Sequence, residues 1–144
     1  MTHVDTIELF DGMAKEMNTH PERFTPLGEL ELDLVCVMRS PRETERVRLV
    51  FDGLRCRVLA SVEGDERDAD CWLDGDVAAW RDMFDEIRAH GAATGGYTLN
   101  SLTLLGERIR LGGADPMGVD KFSRFNQSLQ EFFDGAARLH LAAV

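Results

Sequence analysis

The feature of this sequence that most restricts its fold is a stretch in which every second residue is apolar. Leu30, Leu32, Leu34, Cys36 and Met38 alternate first with acidic residues and then with valines. Successive side chains of a β-strand point to opposite faces of a sheet, so the alternation predicts a strand with one buried face. The acidic residues of the other parity predict that the second face begins in solvent.

Three further strand patterns follow. Residues 46–51 alternate and end at Asp52-Gly53, and residues 54–62 alternate again. An Asp-Gly dipeptide between two alternating runs is a strong hairpin signal, because glycine tolerates the positive φ of such a turn. Residues 69–73 form a shorter fourth run. We expect these four strands to build an antiparallel meander in chain order.

Helical periodicity surrounds the strands. Apolar residues three or four apart predict a helix over 4–18, a second over 77–90 and a final helix that starts at Asp115-Pro116. The segment 99–105 is ambiguous between a short helix and a strand. Residues 107–112 alternate as a last strand.

The order of these elements predicts an α+β two-layer fold, with a five-stranded, mostly antiparallel sheet covered on one face by helices. The 144 residues fit one domain, which we expect to span residues 1–144. Three widely spaced cysteines indicate reduced core residues. The N-terminal MTHVDTIELF lacks the basic segment and apolar run of a signal peptide, so we expect a cytoplasmic protein.

The charge of the chain restricts its partners. With a formal net charge of −10, the surface would repel phosphate backbones and anionic lipid headgroups. No stretch approaches the roughly 20 apolar residues that a membrane-spanning helix needs. We therefore expect neither nucleic acid nor stable membrane insertion.

Residues for covalent or acid–base chemistry are hard to assemble. The four histidines are far apart and no CxxC or HExxH motif occurs, so no metal site is expected. Phosphate-binding glycine loops and a GxSxG elbow are also missing. Asp33 is the one carboxylate with catalytic potential, since it lies mid-strand among apolar residues, but its parity places it with Glu29 and Glu31 on the solvent side. We expect no catalytic residue and no cofactor.

A family resemblance rests on three segments, FDGLRCRVLASVEG, DADCWLDGDVAAWRDMF and GERIRLGGADPMGVDKFSRF. They resemble the central hairpin, the strand-to-helix junction and the segment before the final helix of the sterol carrier protein 2-like lipid-binding domain. The order of elements matches that family from about residue 5 to residue 139. The spacing is looser over 91–105, where Gly95-Gly96 is inserted.

The resemblance implies a five-stranded sheet covered by helices, with a hydrophobic tunnel between the two layers. Members of the sterol carrier protein 2-like family bind sterols, fatty acids and acyl-CoA thioesters, and most are not enzymes. Carried over by position, the expected tunnel lining is Leu34, Cys36, Cys71, Leu73, Phe84, Ile87, Leu102, Leu105, Phe122, Phe125, Leu129 and Phe132. Burying ligand carbon yields about 0.8 kcal/mol per CH₂, so a long apolar ligand needs no charged anchor.

Three functional hypotheses remain open. The leading one is a non-catalytic carrier for a lipid, sterol or acyl-type ligand, held between the sheet and the C-terminal helices. The second is a small α+β enzyme resembling ketosteroid isomerases, which would need a carboxylate such as Asp33 to face a cavity. The third is a ligand-free interaction protein whose final helix docks on a second copy or on another protein.

Overall fold

The computed structural model describes residues 3–104 and 108–139, with side chains from residue 6 onward. Five α-helices and five strands lie in these ranges. The helices are α1 (His3–Thr19), α2 (Val77–His90), α3 (Leu99–Leu104), α4 (Pro116–Arg124) and α5 (Asn126–Asp134). The strands are β1 (Leu30–Arg39), β2 (Thr44–Gly53), β3 (Arg55–Ala60), β4 (Cys71–Asp76) and β5 (Ile109–Gly112). The predicted α+β class and mostly antiparallel sheet are confirmed.

The strand order is β3-β2-β1-β4-β5. Strands β1, β2 and β3 form the predicted antiparallel meander, but β4 lies beside β1 and runs parallel to it. The predicted four-strand meander is therefore wrong at its last strand. The physical reason is visible in β1, where Val35 and Val37 are as buried as Leu34 and Cys36 on the other parity. A strand that is apolar on both faces belongs in the middle of a sheet, with neighbours on both edges.

The inner face of the sheet carries the apolar parity of each strand. In β1, Leu34 lies opposite Leu49 of β2 and Cys36 lies opposite Leu73 of β4. All four side chains are buried in the layer between the sheet and the helices. The alternation therefore predicts the correct register of burial, because a shift by one residue would expose the whole set.

The outer face of the sheet carries a smaller apolar cluster under ion pairs. Val35, Val37 and Ala69 are buried there against Trp72. At the neighbouring position Arg48 binds Asp33 through two contacts of 2.8 and 2.7 Å. This side of the sheet is therefore closed by charged side chains, and the helices pack on the other side.

Two helical predictions need adjustment and a third is confirmed. The segment left ambiguous by the sequence is helical over Leu99–Leu104, and residue 105 lies outside the described residues. The predicted final helix is two helices, α4 and α5, which bend at Phe125. Asn126 and Ser128 follow the bend, and both residue types favour helix ends over helix interiors. The predicted start at Asp115 is confirmed, since its carboxylate accepts the amide hydrogens of the first turn.

The last predicted strand, 107–112, is shorter in the structure. It begins at Ile109, while Glu107 lies outside the described residues. Within residues 3–104 and 108–139, none of the helices has the length and hydropathy that a bilayer crossing requires.

The free edge of β3 is covered by one side chain of α1. The Asn18 side chain donates to the Cys56 carbonyl at 3.0 Å and accepts from the Cys56 amide at 2.9 Å. An amide side chain here replaces the hydrogen bonds that a further strand would make. Both peptide groups would otherwise lose their partners in a half-buried position.

We predict that Asn18→Ala lowers the free energy of unfolding by about 1–3 kcal/mol, because it leaves the Cys56 amide and carbonyl unpaired. Denaturant unfolding measures the change. Asn100→Ala, at an exposed asparagine of α3, is the matched control and should stay within about 0.5 kcal/mol of wild type. Equal losses in the two variants would contradict this role of Asn18.

Candidate functional site

The candidate site is the apolar layer between the inner face of the sheet and the helices. Its centre is Phe133, whose ring lies 6.0 Å from those of Phe10 and Phe84, 5.9 Å from Trp80 and 5.4 Å from Phe132. These ring pairs meet edge to face or tilted, and such pairs contribute about 0.5–1.5 kcal/mol each beyond burial. Helices α1, α2 and α5 are thereby held on one aromatic cluster.

The predicted lining residues lie in this layer. Ten of them belong to one continuous core cluster: Leu34, Cys36, Cys71, Leu73, Phe84, Ile87, Leu102, Phe122, Leu129 and Phe132. Phe125 is half-buried and packs against the same cluster, and Leu105 lies outside the described residues. The ten side chains are exposed by 3% or less, so they pack on one another and on their neighbours. The layer is therefore filled in this structure.

Sequence reasoning missed part of this layer. Met13, Met17, Met38 and Met83 are buried in the same cluster as the predicted residues. Their apolar stripe positions were available in the sequence for α1 and β1, but only the packing of α2 and α1 over the sheet brings them together. Methionine has three rotatable side-chain bonds and a polarisable sulfur, so it adapts to neighbours of different shape.

Three thiols lie at this interior. Cys36, Cys56 and Cys71 are free and buried. Burial raises the pKa of Cys36 well above its usual value, and it raises the pKa of Cys56 to about 12. Burial, together with the nearby charges of Asp70 and Asp33, raises the pKa of Cys71 to about 12. These thiols keep their protons at neutral pH and are poor nucleophiles.

A small hydrogen-bond network connects the segment after α2 to α5. Asp134 accepts the Ala93 amide hydrogen at 3.0 Å and a Gln130 side-chain hydrogen at 2.9 Å. The other end of Gln130 accepts the Leu99 amide hydrogen at 2.8 Å. Burial raises the pKa of Asp134 above its usual value. Sequence reasoning missed this pair, although an aspartate directly after two phenylalanines is a signal for a polar group at the edge of a core.

The remaining catalytic candidate lies on the wrong side of the sheet. Asp33 is on the outer face, as its parity predicted, and Arg48 contacts both of its carboxylate oxygens. Across the described ranges, no group of three or more His, Cys, Asp or Glu residues is placed to hold a metal ion.

A polar cleft of about 450 Å³ lies at the surface where β4 leads into α2. Its arginines are partly neutralised, because Arg39 binds Asp74 at 2.7 Å and Arg108 binds Asp82 at 2.7 Å. Its described lining includes none of the residues predicted to line the tunnel. It is therefore a separate surface feature.

Solved structures share this architecture. One is a conserved hypothetical protein from Thermus thermophilus, described as possibly a sterol carrier protein. It has a TM-score of 0.70 and 19% identity, and the match covers 95% of this chain and 90% of that chain. Another is sterol carrier protein 2, with a TM-score of 0.64, 18% identity and coverage of 92% and 95%.

This chain has the sterol carrier protein fold. The resemblance predicted from the three sequence segments is thus confirmed at the level of the fold. No protein-family model matches the sequence, and no curated protein matches it.

We predict that the three native thiols react with an aromatic disulfide reagent only as fast as the protein unfolds, since each is buried and protonated. Absorbance of the released thiolate measures the rate. Ser123→Cys places a thiol at an exposed position of α4 and should react rapidly in the folded protein. Fast reaction of a native cysteine without unfolding would contradict the closed interior.

We predict that Asp134→Asn becomes more stable relative to wild type as pH rises. The raised folded pKa means that the folded state retains a proton which the unfolded state releases from about pH 3.8 upward. Wild type therefore loses stability as pH rises through the folded pKa, whereas the asparagine variant has no such dependence at this site.

Urea unfolding at several pH values measures this difference. Asp85→Asn, at an exposed aspartate of α2, is the control and should show a nearly constant difference from wild type. A constant or opposite trend for Asp134→Asn would show that the charged carboxylate is not disfavoured by burial.

Proposed function

We propose that this protein is a non-catalytic carrier that holds a lipid, sterol or acyl-type ligand between its sheet and its helices. The observation that carries the proposal is the single apolar cluster that runs from α1 to α5 across the inner face of the sheet. The fold, shared with sterol carrier protein 2, supports it. The predicted lining residues are proposed as the contact surface, because they come from both layers of this cluster.

The filled state of the layer bears on which ligands can bind. A chain of about twelve CH₂ groups gains roughly 10 kcal/mol on leaving water. Micromolar binding requires about 8 kcal/mol, which leaves only about 2 kcal/mol for separating packed side chains and ordering the ligand. Ligands with fewer than about ten such groups fall below this requirement. We therefore propose long-chain or steroid-sized ligands.

The side chains that would yield to such a ligand lie between α5 and β2. Phe132 of α5 meets Phe51 of β2 edge to face at 5.1 Å, so this pair closes the layer between helix and sheet. Met83 lies in the same cluster and can change rotamer at little cost. A ligand that separates Phe132 from Phe51 would open the layer by displacing apolar contacts.

The chemistry of the described residues supports binding without turnover. The buried thiols are protonated, and Asp33 is ion-paired on the outer face. A ketosteroid-isomerase-like mechanism requires a carboxylate facing the apolar cavity. Asp33 does not meet that requirement. Three free cysteines also support the cytoplasm as the proposed compartment.

The test is to extract the purified protein with organic solvent, identify lipids by mass spectrometry, and titrate a fluorescent fatty acid. We expect a stoichiometric lipid or displaceable probe binding in the micromolar range or tighter, at about 8 kcal/mol or more. Absence of both would end the carrier hypothesis. A homodimer or a complex with another protein would then be sought by sedimentation and pull-down.

We predict that Phe132→Leu binds the probe more tightly than wild type. It removes the ring pair with Phe51 that joins helix to sheet, and the loss of about 0.5–1.5 kcal/mol of closing energy lowers the dissociation constant about twofold to tenfold. The pair with Phe133, which is also lost, lies within α5 and does not join the two layers. Phe24→Leu is the matched control, because Phe24 is similarly buried but outside the predicted lining. Its probe affinity should not change. Equal shifts in both variants would contradict binding at Phe132.

A further inference from the structure

A second pocket, of about 330 Å³, lies at the end of the sheet beside the first turns of α2. Met38, Pro41 and Val77 supply its apolar wall. Its described lining includes none of the residues proposed to contact the lipid ligand. Its volume is at the lower end for a small-molecule site.

Glu45 of β2 is the unusual residue in this pocket. It occupies the inward parity of its strand, opposite Met38 of β1, and is only 8% exposed. Its side chain has no hydrogen bond and no ion pair with any described residue. Every fully sealed side-chain nitrogen or oxygen in the described ranges has a partner, so the Glu45 oxygens must open onto the pocket. A carboxylate held this way favours a ligand that brings a charged donor.

Two cations stand at the rim of the same pocket. Arg42 follows the end of β1 and Arg81 projects from α2, and both are exposed. Neither has an ion pair within the described part of the chain. Glu43 is the remaining charged residue of the lining, so two positive and two negative groups give no net charge. Guanidinium groups favour oxyanions, which they bind through parallel hydrogen bonds.

These charges disfavour ligands that carry a single charge. A plain amine would meet two arginines before it reached Glu45, and a plain acid would meet the buried carboxylate after it reached the arginines. A molecule with both charges gives each of these groups a partner. The apolar wall then favours a short aliphatic body.

We propose that this pocket binds a small zwitterion with an aliphatic side chain, of the size and chemistry of an apolar amino acid. The ammonium group contacts Glu45, the carboxylate contacts Arg81 and Arg42, and the side chain lies on Met38, Pro41 and Val77. The pocket adjoins the apolar interior at Met38, but its charged groups lie outside that interior, and the proposal does not rest on lipid binding. One protein could hold both ligands at once.

The test is a titration of the isotope-labelled protein followed by amide chemical shifts, with three probes that share one carbon skeleton. L-Leucine carries both charges, isopentylamine lacks the carboxylate, and 4-methylpentanoate lacks the ammonium group. We expect saturable shifts at residues 38–45 and 77–81 with leucine, and at least about tenfold weaker binding of each singly charged probe. Equal binding of either singly charged probe would overturn the assignment of a zwitterion.

Variants assign the residues. Glu45→Gln and Arg81→Gln should each weaken leucine binding by at least about tenfold. Glu31→Gln changes the net charge by the same amount as Glu45→Gln at an exposed position of β1, and should bind leucine like wild type. Dispersed amide spectra establish that each variant is folded.

Two further outcomes would overturn the proposal. One is the absence of saturable shifts in this pocket at about 10 mM leucine. The other is unchanged affinity in Glu45→Gln. Neither outcome decides the carrier hypothesis, because lipid binding is measured separately by the fatty-acid titration.

Discussion

The rest of the structure depends on the position of β1 in the middle of the sheet. Each of its two faces packs into a different apolar cluster. Leu34 and Cys36 face the helices, while Val35 and Val37 lie under the turn after β3. Both of its edges are paired, with β2 on one side and β4 on the other. Because β4 leads directly into α2, the parallel pairing also decides where α2 lies. The helix layer, the aromatic cluster and the zwitterion pocket follow from that placement.

Local pattern was enough for most elements of this fold. The alternation of β1, the hairpin signal of Asp52-Gly53 and the helical stripe over 77–90 each specify structure within a few residues, and each is confirmed. The turn itself is centred one residue later, on Gly53-Leu54, because Asp52 still pairs with Arg55. The partner of β4 could not be obtained in that way, because pairing across the chain depends on which edge remains free after the hairpin forms. Burial of Val35 and Val37 on the second face held that information, and a search for one buried face does not use it.

The candidate site likewise has features that local sequence pattern predicts and features that depend on tertiary contacts. Parity and helical stripes assign ten predicted residues to the interior, since burial is what those patterns encode. Whether that interior is open or filled depends on the fit of Phe51 against Phe132, which is a matter of three-dimensional volumes. The role of Glu45 could not be predicted from the sequence either. It has the inward parity, but only the folded chain shows that no described residue pairs with it. Polar groups at the edge of a core, Asp134 among them, are set by tertiary contacts.

The Asn18 contact has a consequence for the behaviour of the chain in concentrated solution. Strand β3 forms one border of the sheet, and Arg55 and Arg57 discourage a second molecule from adding a strand there. The peptide group of Cys56, between these arginines, is occupied only when α1 has docked. Any event that detaches the N-terminal helix therefore exposes a border that can recruit another copy of the chain. Resistance to self-association is in this way linked to the docking of a helix that also packs its apolar side against the core.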